Sequence, residues 1–355
     1  MLIDRLLSHD RPRSPWLTVA LVAILVVLAL APFFFPGAKS MSVVAKILVF
    51  VLLVVSYDLL LGYTGIVSFA HTMFFGIGAY GIAITSTKLG AGWGSVALGL
   101  GMAFAVSVVL SLLIGLFSLR VKAIFFAMIT LAVASAFQTL ASQLSDFTGG
   151  EDGLTFRNPE WLSPGFETTW LGLAIDGRML CYWLLFAVVL ALFLVMLRIV
   201  NSPFGRVLQA IRENEFRAEA IGYRTVVYRT LSNVLSALFA TIAGALLALW
   251  LRYVGPDTTL SFEIMLDVLL IVVIGGMGTL YGAVVGSVLF VIAQNYLQDL
   301  LRLSAPALED VPLLGAVVNP DRWLLWLGVL FVLAVYHFPS GIVGRLRALA
   351  RKEAT

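Results

Sequence analysis

The stretch TLSNVLSALFATIAGALLALWL, residues 230–251, carries no charged side chain over its whole length. As a helix rising about 1.5 Å per residue it spans about 33 Å, enough to cross the ~30 Å hydrocarbon core of a bilayer. Residues 17–35 and 96–119 are uncharged runs of the same kind. Of the 355 residues, 61% are hydrophobic and 12% charged, about half the ~25% charged fraction of a soluble domain. The fold class expected is an all-α polytopic membrane protein.

Ten apolar segments are read at about 17–35, 43–61, 66–87, 94–119, 123–145, 179–197, 230–251, 263–278, 280–300 and 323–338. Glycine and polar residues interrupt 66–87 and 263–278, which therefore read as candidates for broken or re-entrant helices. An even number puts both termini on one side. Assigning that side to the cytoplasm gathers Arg5, Arg11, Arg13, Arg120, Lys122, six arginines between 198 and 229, Arg345, Arg347, Arg351 and Lys352 there, out of 23 Lys and Arg. The acidic residues Asp146, Glu151, Asp152, Glu160, Glu167 and Asp176 then fall outside, and the gathering of Lys and Arg inside follows the positive-inside rule. The expected layout is a cytoplasmic segment 1–16, a transmembrane domain 17–338, outer loops 146–178 and 301–322, a cytoplasmic loop 198–229 and a basic cytoplasmic tail 339–355. The basic pI near 9.0 reflects this orientation, not nucleic-acid binding. The first apolar run ends in PFFFPG without a small-residue cleavage site and reads as a retained helix. Cys181 is the single cysteine, so the chain forms no internal disulfide.

The most charged interior stretch, LQAIRENEFRAEAIG at 208–222, lies in the cytoplasmic loop. Ser202-Pro203 is a helix start, and Gly222 a helix stop. Val207, Ile211, Ala218 and Gly222 recur at helical spacing, so one or two short amphipathic helices are expected outside the membrane. Arg212 is spaced to pair with Glu215, and Glu213 with Arg217. A solvated connector explains the charges. A small-residue stripe flanked by charges points instead to a docking element for a cytoplasmic partner.

Glycines concentrate in two windows, Gly62, Gly65, Gly76, Gly78, Gly81 and Gly275, Gly276, Gly278, Gly282, Gly286. The spacing of the last three suggests a smooth face for a neighbouring helix. Two readings stand: packing alone, or breaks that turn backbone groups toward a pathway. On the second, Gly62, Gly65, Ser68, His71, Thr72, Gly275, Gly276, Gly278 and Thr279 are the candidate pathway residues. Asp58 is placed near the cytoplasmic interface. Glu263 and Asp267, four apart near the outer end, are read as facing Arg252 or an external protein, with Gln294 and Asn295 in the next segment.

The chain has no G-x-x-x-x-G-K-[ST] phosphate loop, no ligand spacing for a metal among three histidines and one cysteine, and no nucleophile–base arrangement. It is expected not to be an enzyme, and any energy for transport must come from a partner or an ion gradient.

GRVLQAIRENEFRAEAIGYRTVVYR (205–229), with Glu219, Ala220 and Gly222 after Ala218, resembles the E-A-A…G coupling loop of ABC importer permeases. GYTGIVSFAHTMFFGIGAY (62–80), TGGEDGL (148–154), GPDTTLSFEIMLDVLLIVVIGGMGTLYGAVVG (255–286) and FPSGIVG (338–344) are similar to the LivM-type branched-chain amino acid permeases, in that family's order. The resemblance implies a permease subunit in the bacterial inner membrane. It would pair with a second permease of the LivH type and two ABC ATPase subunits, and take substrate from a periplasmic binding protein. Arg212, Glu213, Glu215, Ala218, Glu219, Ala220 and Gly222 would couple it to the ATPases. No cofactor would be bound by this chain itself; ATP and Mg would sit on the ATPase partners. The acidic outer loops, with Glu151-Asp152 and Glu309-Asp310, would contribute to docking the binding protein. Two alternatives are carried: a permease of the same family for urea, short amides or aromatic acids, and a stand-alone secondary transporter or channel using Asp58, His71 and Asp267.

Overall fold

The structure is a computed structural model and describes residues 14–35, 37–118, 123–170, 173–308 and 320–352. Arg5, Arg11, Arg13, Arg120, Lys122, Glu309 and Asp310, with most of segment 1–16 and half of loop 301–322, lie outside the described residues. The membrane-type helices are α1 (Pro15–Ala29), α2 (Ala38–Asp58), α3 (His71–Leu89), α4 (Trp93–Ser118), α5 (Ala123–Gln143) and α6 (Gly177–Asn201). Two short helices follow, α7 (Pro203–Glu213) and α8 (Glu215–Ala220). The chain then continues through α9 (Thr225–Leu251), α10 (Phe262–Gly275), α11 (Leu280–Leu308), α12 (Trp323–His337) and α13 (Gly341–Lys352). Each of the ten apolar segments coincides with a helix. Eight spans among the described residues are long and apolar enough to cross a membrane. α1 is shorter than these, and α3 carries His71, Thr72 and Lys88 near its ends.

Polarity is inverted relative to a soluble protein. On α4 the exposed stripe is Leu98, Met102, Val106, Val109, Leu113 and Leu116, spaced three or four apart, while Ser107 and Ser111 are fully buried. A large apolar face is stable on the outside only where lipid replaces water. Inside, polar side chains satisfy one another, as a bilayer core demands. Ser107 Oγ and Thr241 Oγ1 share a hydrogen bond of 2.7 Å, and Asn233 Nδ2 donates to Ser111 O at 2.9 Å.

The centre of the bundle is α2, buried almost throughout from Met41 to Asp58 and packed against α6, α9, α10 and α11. Beside it α3 packs against α9 and α4. The α3–α9 contact is backbone on backbone. A Cβ added at Gly78 would overlap Thr241 O, and one at Gly244 would overlap Phe75 O. The expected face Gly278/Gly282/Gly286 is only partly of this kind. Gly282 and Gly286 admit Gly275 O and Ile271 O of α10 to within 2.6 Å of a would-be Cβ. Gly278 precedes α11 and sits in the turn instead, at φ +77°.

The all-α expectation holds for the bundle, and among the described residues four short strands lie beyond the helix ends. β1 (Leu154–Thr155) pairs antiparallel with β4 (Tyr253–Val254), and β2 (Glu167–Trp170) with β3 (Leu173–Asp176). The TGGEDGL segment feeds β1. Gly149, Gly150 and Gly153 all take positive φ there, and Tyr253 Oη donates to Asp152 O at 3.1 Å. Backbone polar groups beyond the helices need partners, and a loop built on such turns finds them in a strand pair.

Forced overpacking in a tight core costs about 1–3 kcal/mol. Gly78→Leu is therefore expected to lower the thermal midpoint of the purified protein in detergent. Gly101→Leu, at a site with no atom within 4 Å of a new Cβ, is the matched control and is expected to leave the midpoint unchanged. Equal midpoints would show that the α3–α9 contact does not hold the bundle together.

Candidate functional site

Part of each glycine window, Gly62 with Gly65 and Gly275 with Gly276 and Gly278, lies at a helix break, and the two breaks meet. At the first, α2 runs into a π-helical turn over Leu59–Thr64, closed by Gly65 in the left-handed region at φ +75°, and α3 starts only at His71. At the second, α10 stops at Gly275 and α11 resumes at Leu280, with Gly276 and Gly278 both at positive φ. The segments 66–87 and 263–278 are thus interrupted at their ends, where glycine reaches backbone angles that other residues avoid, and the helices themselves are continuous.

Asp58 Oδ1 accepts a hydrogen bond from Gly278 N–H at 2.8 Å, joining break to break. Asp58, expected at an interface, is instead 1% exposed, and its charge finds this backbone partner 220 residues away. A Cβ at Gly62 would collide with Asp58 Oδ1 and Gly278 N, so only glycine allows the approach. Arg212, from the end of α7, donates from Nη1 to Gly62 O. The same guanidinium nitrogen lies 3.0 Å from where a Cβ of residue 278 would be, and the arginine also acts electrostatically on Asp58. One cation therefore closes the junction from the α7 side. The C-terminal FPSGIVG motif joins it too, since a Cβ at Gly341 (φ +74°) would overlap Gly276.

Around this junction the freed backbone groups are satisfied by protein. Thr64 Oγ1 donates to Leu59 O at 2.8 Å and shares a 2.9 Å hydrogen bond with Ser232 Oγ. Phe69 N–H donates to Thr130 Oγ1 at 3.0 Å, and Thr279 Oγ1 to Gly276 O at 2.6 Å. Packing here is close, and Asp58 Oδ2 is left buried with no hydrogen-bond partner among the described residues. Ser68, His71 and Thr72, grouped by sequence with these glycines, lie deeper, each at most 2% exposed. His71 Nε2 is 2.8 Å from Ser56 Oγ, whose proton goes to Leu53 O. The imidazole thus acts as the donor in a packing contact between α3 and α2.

The stretch 203–220, expected to dock a partner, folds as two helices. Ser202 Oγ accepts from Gly205 N–H, with Pro203 in the first turn. Asn214 is extended (φ −160°, ψ 99°) and caps α8 through Arg217 N–H at 2.9 Å. That break removes the helical registry behind the two expected ion pairs. Arg212 reaches Gly62 instead of Glu215, Glu215 binds Arg229 at 2.6 Å, and no ion pair joins Glu213 to Arg217 among the described residues. Glu219 Oε1 accepts from Thr225 Oγ1 at 2.7 Å, so Glu215 and Glu219 both tie α8 to α9. Ala218 is buried against Val207, Ile211 and Tyr228 of the same chain, which removes it from the surface stripe expected of it. Glu213, Ala220 and Gly222 remain exposed. The prominent outward side chains are Phe216 and Ile221, 82% and 67% exposed. Neither was singled out from the sequence, although an exposed Phe beside arginines in an interhelical loop was the available signal.

At the opposite end of the bundle, Glu263, Asp267, Gln294 and Asn295 line one cavity of about 440 Å³ with Lys39 and Lys46. Arg252, expected opposite Glu263 and Asp267, lines a different cavity.

Residues 40–335 match the family model of the branched-chain amino acid transport system permease component. The chain is 27% identical over 320 residues to the LivM permease proteins of the high-affinity branched-chain amino acid transport systems of Salmonella typhimurium and Escherichia coli, covering 86% of this chain and 74% of each relative. It is also 26% identical over 308 residues to the corresponding BraD permease protein of Pseudomonas aeruginosa, covering 83% of this chain and 92% of that one. No solved structure matches. With the family model spanning all but the ends, the chain belongs to the branched-chain amino acid transport permease family, as a LivM-type member.

Proposed function

We propose that the chain is the permease subunit of an ATP-driven importer for branched-chain or related amino acids. It pairs with a second, LivH-type permease in the bacterial cytoplasmic membrane and receives substrate from a periplasmic binding protein. Two ABC ATPase subunits work from the cytoplasm. The end carrying α7, α8 and α13 is the cytoplasmic one, and both termini lie there. This orientation is supported by Arg206, Arg212, Arg217, Arg224, Arg345 and Arg347 at that end, while Glu151, Asp152, Glu160, Glu167 and Asp176 lie beyond the opposite helix ends. The substrate class is supported by the family's description and by the relatives' names.

One observation carries the mechanism: Arg212, at the end of the docking element, is the group that closes the junction of the two helix breaks. α8 presents Phe216 and Ile221 to a groove on the ATPase. When the ATPases close on ATP, α7 and α8 move with them, Arg212 leaves Gly62, and the breaks part. A charged hydrogen bond is worth about 1.5–3 kcal/mol, so its loss shifts a gate equilibrium by about tenfold or more. The chain supplies the gate and the coupling lever, and hydrolysis stays on the partners. Outside, the anchored Glu151-Asp152 turn offers acidic groups to the binding protein.

Affinity purification of the tagged chain in mild detergent is expected to recover a second permease and one or two ATPases. Phe216→Asp with Ile221→Asp should lose the ATPases alone. Reversal of Glu151 and Asp152 to Lys should weaken capture of the binding protein alone. Recovery of the chain by itself, with solute uptake in vesicles lacking ATP, would replace this reading with that of a stand-alone transporter.

The gate has its own test. In a Cys181→Ser background, Ser232→Cys beneath the seal is expected to react at least tenfold faster with a membrane-impermeant thiol reagent from the cytoplasmic side once Arg212→Ala is added. Arg212→Lys should restore part of the protection. Unchanged reactivity would mean that Arg212 does not hold the seal.

A further inference from the structure

The cavity at the end opposite α7–α8 is built for a group that carries a negative and a positive charge side by side. We propose that it is a transit site for free amino acids, in which Lys46 receives the α-carboxylate and Asp267 the α-ammonium. The proposal rests on the reading of the chain as an amino-acid permease and deepens it.

The cavity lies between α2, α9, α10 and α11, and its volume of about 440 Å³ falls in the ~300–1,000 Å³ range of small-molecule sites. Lys46 Nζ donates to Gln294 Oε1 at 2.9 Å, and Gln294 Nε2 donates to Asp267 Oδ2 at 3.0 Å. The amide orientation is fixed by its neighbours, because an ammonium only donates and a carboxylate only accepts. A half-buried lysine and a half-buried aspartate on facing helices gain most by direct contact, yet here one neutral amide stands between them. That amide shows an acceptor to the lysine and a donor to the aspartate. An amino acid offers the same pair from one carbon, with carboxylate oxygen as acceptor and ammonium as donor, each now fully charged. A zwitterion that displaces Gln294 therefore meets both charges in their existing positions, and hydrogen bonds charged on both sides replace bonds charged on one side only. Ionisable side chains within membrane spans are costly and mark pathways more often than packing.

The remaining wall suits an aliphatic side chain. Val43, Phe50, Phe75, Leu247 and Ile264 line it, and Lys46 Nζ lies 5.3 Å from the centroid of the Phe50 ring. Phe50 and Phe75 are almost fully buried and form the floor. Below that floor the path is shut by the Asp58–Gly278 and Arg212–Gly62 contacts, which lie at the other end of the same helix, α2. At the rim, Lys39 is paired with Asp299, which leaves Asp257 and Glu263 to give the mouth an acidic balance. A phosphatidylethanolamine headgroup shares the anion–cation chemistry, so the experiment includes it as a separate arm.

The assembled transporter is placed in nanodiscs of phosphatidylglycerol with Cys181→Ser and with Ile264→Cys as reporter. The rate of labelling by a small methanethiosulfonate reagent is then followed. Millimolar leucine is expected to slow labelling at least fivefold. 4-Methylpentanoate, which lacks the ammonium, and 3-methylbutylamine, which lacks the carboxylate, should not. Lys46→Met and Asp267→Asn should each remove the protection, and Lys46→Arg and Asp267→Glu should keep part of it. Should a variant fail to assemble on size exclusion, the comparison of leucine with its two analogues decides the matter. Labelling untouched by leucine, in a preparation that takes up leucine from its binding protein when reconstituted in vesicles, overturns the site and leaves the permease reading standing. Protection produced by adding phosphatidylethanolamine in place of leucine overturns it in favour of a lipid headgroup. A preparation that takes up no amino acid at all sinks both.

Discussion

A carboxylate buried at the end of the central helix, far from water, has to be paid for by a partner, and Asp58 finds one in the backbone N–H of Gly278. That single contact requires two chain breaks to touch. The touching requires glycine at 62 and 278, and the buried carbonyl of Gly62 requires a donor, which Arg212 supplies. Removing any one member leaves a buried polar group without its partner, at a cost of about 1–3 kcal/mol. The members of the junction therefore depend on one another, and the outermost, Arg212, sits at the end of α7, the element proposed to move with the ATPases.

The same helix links the seal to the site at the far end. α2 carries Lys46 in the cavity, Phe50 at its floor, Ser56 against His71 and Asp58 in the junction. Because it is packed against α6, α9, α10 and α11, it cannot shift without its neighbours. The contact of α3 with α9 is backbone on backbone at Gly78 and Gly244, which favours rigid-body movement of these helices over local bending. On the proposed mechanism, opening at one end and closing at the other would be parts of a single movement around α2.

Much of the fold was legible because its rules are local. Apolar runs near bilayer length gave every long helix, and Ser202-Pro203 and Gly222 marked the ends of the interhelical element. The glycine windows were visible as windows, and their role as breaks followed once Gly65, Gly276 and Gly278 were seen at positive φ. What escaped was set by tertiary contact. Nothing in the spacing of residues 58, 62, 212 and 278 says that they meet. Arg212 and Glu215 fit a helical ion-pair pattern until the extended Asn214 breaks the registry. Ala218 reads as a small surface residue and is instead sheltered by Tyr228. Lys46 was passed over as a single charge in an apolar run, yet it is the cation that gives meaning to Asp267 and Gln294.

The central claim is that the docking element and the helix breaks separate when ATP binds. Spin labels at Glu213→Cys on α7 and Met277→Cys in the second break, in a Cys181→Ser background, report that distance directly by pulsed electron resonance on the assembled transporter. The account predicts one short distance distribution without nucleotide and a distribution longer by several ångströms with ATP on hydrolysis-deficient ATPases. An unchanged distribution, in a complex that still transports before the ATPases are disabled, would contradict it.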